Sequence, residues 1–210
     1  MQEVEYINHM GDDTQIVMAA RVSFASDKEM RSLEDNTKLI NYLAKHNHWS
    51  PFAHTSITLR MKAPIPIRTQ CMKHAVGFVI NEESRRYVSY EPEYFLPAFR
   101  EQVKNKKQGS GDAHLLNTSW QHTYIENMEN SIALYEEMIE AGICEEQARF
   151  VLPQGCMVNW YWTGSLSAFA RFYKQRIDSH AQLEIQELAK LVSDIIQPLY
   201  PLSWDALTKD

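Results

Sequence analysis

Apolar positions along the chain recur at two spacings, and these spacings predict helices separated by strands. The longest run of apolar residues spaced three and four apart lies over 113–141, includes Trp120, Tyr124 and Met128, and continues to Ile139. The same helical spacing extends over four further segments: 13–22, 35–46, 165–176 and 180–196. Asp12–Asp13 and Ser165 are predicted to cap the first and the third of these. In 56–61 apolar and polar side chains alternate instead, which predicts a half-buried strand. The stretch 156–163 is almost continuously apolar and predicts a buried strand.

One stretch, QCMKHAVGFVINEESRRY at 70–87, combines many charged side chains with an apolar run. We predict a short helix over about 65–74, with Pro66 in its first turn, that breaks before Gly77. A turn at 81–84 is predicted to follow and to present side chains and backbone N–H groups to an anion. The stretch therefore becomes the leading candidate for a ligand site.

Composition limits the classes of protein to which the chain can belong. With 210 residues, 44% of them hydrophobic and 23% charged, it is expected to be a soluble globular protein with a single domain over 1–210. A net charge of −6 argues against a general nucleic-acid coat. The acidic N-terminus and the lack of a long apolar run predict neither a signal peptide nor a membrane partner. The basic and then Gly/Ser-rich stretch 104–112 predicts a surface loop.

Metal and nucleophile patterns are weak in this sequence. Three cysteines at unrelated spacings suggest neither disulfides nor zinc, and they favour a reducing, cytoplasmic location. His46, His48 and His54 could hold a metal, but no carboxylate or cysteine nearby completes a tetrahedral set. A hydrogen-bonded His54 at the start of a strand is favoured, and no metal is predicted. Phosphate-cradling glycine loops and a GxSxG motif are also absent.

Arg176 departs from the usual behaviour of arginine, which is mostly exposed. It lies one turn beyond Phe172 and Tyr173 on an apolar stripe, and the polar stretch 178–184 follows it. A guanidinium near a core face needs a partner, and a carboxylate, a phosphate or a pyrimidine edge suits its planar fork. Arg176 is therefore the strongest single candidate for ligand binding.

Four motifs together resemble the flavin-dependent thymidylate synthase (ThyX) family. They are FAH at 52–54, the stretch 70–87, EQARFVLP at 146–153 and RIDSHAQLEI at 176–185, in matching order from about 19 to 189. The chain departs from the family pattern in Lys73-His74-Ala75, where Arg-His-Arg is usual, and in one extra residue before Asn81. Ala53 replaces the usual Glu, and Ser-Leu-Ser at 165–167 replaces Asn-Leu-Arg. These departures lie on the side that holds flavin, so weaker or differently oriented flavin binding is expected.

The resemblance implies an α+β fold with a twisted, largely antiparallel or mixed sheet flanked by helices. It also implies a homotetramer whose active sites are shared between subunits. The implied reaction converts dUMP to dTMP, with 5,10-methylenetetrahydrofolate as carbon donor and with FAD, reduced by NADPH, as hydride donor. Two alternatives stay open: a related enzyme that modifies another pyrimidine nucleotide or leaves a hydroxymethyl group, and a nucleotide-binding protein that has lost flavin.

Site residues are carried over only where the motifs match. Arg176 is implied to be catalytic, because a guanidinium at the N3/O4 edge of uracil pushes electron density toward carbon 5 without a cysteine nucleophile. The positions implied for dUMP are Gln70, Lys73, Glu82, Ser84, Arg85, Arg86, Arg149 and Arg176. The positions implied for FAD are His54, Ser56, Lys73, His74, Glu82, Ser165, Arg171 and His180.

Overall fold

A computed structural model describes residues 1–26, 31–88, 90–103 and 109–209 of the chain. Within these ranges it forms strands β1 (Glu3–Met10), β2 (Ser56–Pro64), β3 (Phe78–Glu82) and β4 (Met157–Gly164). The helices are α1 (Asp13–Arg21), α2 (Leu33–Lys45), α3 (Ile65–Met72), α4 (Asn117–Glu140), α5 (Glu145–Ala148), α6 (Leu166–Arg176), α7 (Leu183–Ile196) and α8 (Pro201–Thr208). The predicted loop at 104–112 lies mostly outside the described residues.

The four strands form one antiparallel sheet in the order β1-β2-β4-β3. On β2, Ile57, Leu59 and Met61 are fully buried while Arg60 is exposed, which confirms the predicted alternation. Trp160 and Trp162 of β4 lie in the same core. Because side chains alternate across a strand, the sheet buries one face and leaves the other largely polar.

Helices α1, α2, α6, α7 and α8 contribute the other half of the core. Phe169 and Phe172 of α6 are fully buried, and Phe172 meets Trp162 at a centroid distance of 4.8 Å and an interplanar angle of 83°. Each such side chain contributes about 2–3 kcal/mol by leaving water. This packing places the C-terminal end of α6, and with it Arg176, at the edge of the core.

Two predicted helix starts are confirmed by their caps. The Asp12 carboxylate accepts from Gln15 N at 2.9 Å, and the Ser165 hydroxyl accepts from Ala168 N at 3.3 Å. The predicted turn at 81–84 is wrong for its first half. Residues 81–82 end strand β3, where pairing with β4 supplies the backbone partners that a turn would leave unsatisfied.

Sequence analysis missed two further elements, β1 and α8. β1 is an edge strand with mostly exposed side chains, so it carries no alternating pattern, and only its pairing with β2 defines it. α8 begins where the Asp13 carboxylate accepts from Leu202 N and Ser203 N, each at 2.9 Å. Both elements thus depend on contacts that are distant in sequence. In the described ranges, no helix combines the length and the apolar character that crossing a bilayer requires.

Candidate functional site

Arg176, the last residue of α6, is held against α3 by two hydrogen bonds. Its Nε donates to His74 Nε2 at 2.9 Å, and its Nη2 donates to the carbonyl oxygen of Gln70 at 3.3 Å. Arg176 is only partly buried. These bonds use two of the five guanidinium N–H groups, so three remain for a ligand at the protein surface.

His74 follows α3, and its ring lies between Arg176 and the aromatic core. It meets Phe172 edge to face, with centroids 5.1 Å apart and an interplanar angle of 87°. Burial, together with the charges of Arg176 and Arg171, lowers the pKa of His74 to about 4. At neutral pH the imidazole is therefore uncharged, and Nε2 can accept from the guanidinium.

Gln70 links α3 to the segment between α6 and α7. Its Nε2 donates to Gln182 Oε1 at 2.8 Å. In the same segment His180 binds Asp178 Oδ1 through its backbone N at 2.8 Å and through Nδ1 at 2.9 Å. These two contacts lower the pKa of Asp178. His180 itself is exposed, so its ring is available to a ligand from solvent.

Glu82 pairs with an arginine to which sequence analysis gave no role. Arg68 Nε lies 3.1 Å from Glu82 Oε2, although this Nε lacks the alignment of a hydrogen bond. Burial raises the pKa of Glu82, and the charge of Arg68 opposes that rise. One signal could have indicated that Arg68 needs a charged partner: it lies on α3 beside Ile67 and close to Cys71, and both of these residues are buried.

The segment after β3 forms a second group of polar side chains. The Ser84 hydroxyl accepts from Arg86 N at 3.3 Å and from Arg86 Nε at 3.2 Å. The Arg86 guanidinium lies 5.0 Å from the centroid of Tyr87. Arg85 donates to the carbonyl oxygen of Tyr90 and lies 4.4 Å from the centroid of that ring. The turn thus presents two guanidinium groups that aromatic rings support.

A cleft of about 330 Å³ lies at the start of β3, the end of the strand away from this turn, and it brings together Ser56, Ser165 and Arg171. Arg171 also donates to the carbonyl oxygen of Val76. Gly77 lines the cleft with a φ of +80°, and a Cβ there would lie 3.0 Å from the Cβ of Ala168. Glycine is therefore required for the turn before β3 to approach α6 this closely.

Three other residues singled out from the sequence stand apart. Lys73 and His54 are exposed, and the backbone N of His54 donates to Pro51 O at 3.2 Å. Arg149 is exposed as well, with its Nε bonded to the carbonyl oxygen of Glu146 at 3.3 Å, and it follows α5 beside α4. In the part of the chain that the structure describes, no hydrogen bond or ring contact joins Arg149 to Arg86 or Arg176.

Among residues 1–26, 31–88, 90–103 and 109–209, the histidines and cysteines outside this site form no second catalytic or metal centre. The rings of His46 and His48 pack around Tyr42, at centroid distances of 4.4 and 5.8 Å. Among the described residues, no group of His, Cys, Asp and Glu could hold a metal. Burial raises the pKa of Cys71 to about 12 and that of Cys156 to about 11, so both thiols are protonated at neutral pH.

Comparison with known proteins matches nearly the whole chain. Residues 5–202 fit the family described as thymidylate synthase complementing protein. The flavin-dependent thymidylate synthase of Thermosipho africanus is 35% identical over 206 residues, which cover 97% of this chain and 89% of that protein. An enzyme of the same name from Thermus thermophilus is 35% identical over 204 residues, which cover 97% of this chain and 74% of that protein.

A solved structure supports the same relationship. The UMP/dUMP methylase PolB from Streptomyces cacaoi, bound with 5-Br dUMP, superposes with a TM-score of 0.91 at 28% identity and covers 99% of this chain and 95% of that one. Sequence and fold thus agree, and the chain belongs to the flavin-dependent thymidylate synthase family.

Proposed function

We propose that the protein methylates carbon 5 of dUMP to form dTMP, with methylenetetrahydrofolate as carbon donor and reduced FAD as hydride donor. The observation that carries this proposal is the anchoring of Arg176 by His74 Nε2 and Gln70 O, with three guanidinium N–H groups left for a ligand. A relative by sequence is named a flavin-dependent thymidylate synthase, and a neighbour by structure is named a UMP/dUMP methylase.

Arg176 is proposed to polarise the uracil ring. Carbon 5 of uracil is a weak nucleophile, and it gains electron density when positive charge stabilises the enolate-like form at N3 and O4. Gln70 lies next to the guanidinium and can hold the amide edges of the base. Because the ring is activated electrostatically, no thiol is needed, which agrees with the protonated state of Cys71 and Cys156.

The nucleotide phosphate is proposed to bind the turn after β3. The Arg86 guanidinium is a charge-assisted donor of the kind that a phosphate dianion prefers, and the Ser84 hydroxyl is a neutral donor next to it. Arg85 lies beside them. Glu82 and Lys73 complete the residues proposed for this nucleotide. Arg149 lies on the α4 side of its own chain, so we place it at the phosphate of a neighbouring subunit in a homotetramer with shared sites.

The flavin dinucleotide is proposed to bind the cleft at Ser56, Ser165 and Arg171. Hydroxyl groups suit a polar ring edge, and the Arg171 cation suits a pyrophosphate. His54, His74, Glu82 and His180 are proposed to complete this site, together with Lys73 as a point charge on the pyrophosphate. When bound and reduced by NADPH, the flavin supplies the hydride that turns the transferred carbon into a methyl group.

A second candidate substrate is UMP, because the neighbour with a TM-score of 0.91 is named a UMP/dUMP methylase. The protein is incubated with FAD, NADPH, methylenetetrahydrofolate and either dUMP or UMP, and the products are analysed by mass spectrometry. We expect dUMP to gain one CH2 unit. A gain of CH2O would indicate hydroxymethylation, preference for UMP would indicate the ribonucleotide enzyme, and no product would contradict the proposal.

The matched variants are Arg176→Ala and Arg60→Ala. Arg60 is an exposed arginine on the outward face of β2. We expect the first substitution to abolish methylation while the fold is kept, and the second to leave methylation unchanged. Ordinary turnover by Arg176→Ala would remove Arg176 from the proposed role.

A further inference from the structure

His74 rests on a rigid aromatic base. Its ring meets Phe172 at 87°, and Phe172 in turn meets Trp162 at 83°, with both of these core rings fully buried. Edge-to-face contacts of this kind have preferred geometries, so they limit how the imidazole can turn. The direction in which His74 Nε2 points is therefore set by the core.

Arg176 needs such a fixed partner. An arginine side chain is long and rotamer-rich, so holding it in one orientation costs conformational entropy. Here the bond from Nε to His74 and the bond from Nη2 to Gln70 O act on two different nitrogens of one rigid plane. Two anchors on a planar group fix its tilt as well as its position.

We propose that His74 is a positioning residue, which holds the guanidinium plane of Arg176 so that its remaining N–H groups meet the uracil ring. This inference rests on the proposed function, because it takes Arg176 as the group that polarises uracil. The neutral ring bonds Arg176 through Nε2 and carries its proton on Nδ1. A flavin can still contact that Nδ1–H or the ring, so the role proposed for His74 toward FAD remains compatible.

The histidine must stay unprotonated for this arrangement, and its surroundings keep it so. Burial of the ring disfavours its protonated form, and Arg176 and Arg171, the charged groups that act on the ring, both oppose a second positive charge. Orientation achieved before the substrate arrives reduces the entropy that binding must offset. Loss of His74 should therefore weaken the interaction of Arg176 with uracil without removing the guanidinium.

A double-mutant cycle tests the inference through the dissociation constant of dUMP, measured by calorimetry on protein saturated with FAD. The four proteins are the wild type, His74→Ala, Arg176→Ala and the double variant. We expect His74→Ala to weaken dUMP binding about tenfold when Arg176 is present and to have no effect when it is absent. His74→Gln, whose amide oxygen can accept from Nε, should restore most of the affinity.

Flavin affinity is measured on the same variants, since a residue that only contacts FAD would give a different result. In that case saturating FAD would restore turnover of His74→Ala, and the affinity for dUMP would be unchanged. Either result, or equal losses of dUMP affinity in both Arg176 backgrounds, would overturn the positioning role.

Nuclear magnetic resonance tests the contact itself, independently of any substrate. We expect a slowly exchanging Arg176 Nε–H signal that disappears in His74→Ala, and a His74 ring with its proton on Nδ1. Rapid exchange of the Nε–H in the wild type would overturn the inference even if the protein methylates dUMP. Conversely, if the Arg176 Nε–H is protected but the protein does not methylate dUMP, the proposed function is contradicted while the hydrogen bond from Arg176 to His74 is confirmed.

Discussion

The ion pair between Arg100 and Glu184 is expected to contribute strongly to stability. Arg100 Nη2 lies 2.7 and 2.9 Å from the two carboxylate oxygens of Glu184, and the two side chains are only 16% and 9% exposed. Gln2 Nε2 also donates to the Glu184 carbonyl oxygen at 2.9 Å. The ion pair fastens the segment after β3 to the first turn of α7, and the Gln2 bond fastens the residue before β1 to the same turn. Both lie close to Gln182, which bonds Gln70 of the proposed site.

Removing one partner leaves the other charge nearly buried without compensation. Breaking a buried pair in this way costs roughly 3–5 kcal/mol, and we take about 3 kcal/mol because Arg100 keeps some exposure. With a urea dependence of about 2 kcal/mol per M, Arg100→Met should lower the unfolding midpoint by about 1.5 M. Removing both charges in Arg100→Met/Glu184→Gln should cost less than the sum of the two single variants.

The control is the exposed pair of Lys38 and Glu34, whose side chains are 69% and 77% exposed. Lys38→Met should change the free energy of unfolding by less than about 0.5 kcal/mol. All midpoints are measured at one protein concentration, because assembly would otherwise contribute. The reasoning is refuted if Arg100→Met costs no more than Lys38→Met, or if the two single losses simply add in the double variant.

Three further outcomes are expected. The folded-state pKa of His74, about 4, lies below its unfolded value, so the unfolded chain binds more protons between about pH 4 and 6.5. Stability should therefore fall as pH decreases through this range, and urea midpoints of His74→Gln should show a shallower dependence. Replacing Cys71, Cys144 and Cys156 together by alanine or serine should leave turnover measurable in the dUMP assay. The proposed route needs no thiol, and the thiols of Cys71 and Cys156 are protonated at neutral pH. Complete loss of turnover in a folded variant would indicate a covalent thiol mechanism. Lys73→Arg should tighten FAD binding, because a planar fork replaces a point charge, and an unchanged dissociation constant would count against a pyrophosphate contact.

The spacing of apolar residues was enough to predict the elements that bury one apolar face. The alternation on β2 and the helical stripes of α2, α4, α6 and α7 were readable because burial selects one face of each element. Local capping chemistry at Asp12 and Ser165 could be read as well, since a cap and its helix are neighbours in sequence. The motifs around 70–87 and 176–185 were likewise sufficient to identify the family.

Contacts between distant segments decided the rest. β1 and α8 have no periodic signal of their own, and they exist because β2 and the Asp13 carboxylate supply their hydrogen bonds. The ion pair of Arg68 with Glu82 and the bond from Arg176 to His74 join residues 14 and 102 positions apart, respectively. Sequence patterns report which face of an element is buried, whereas the partner of a particular polar group depends on how those faces pack, and only the folded chain specifies that.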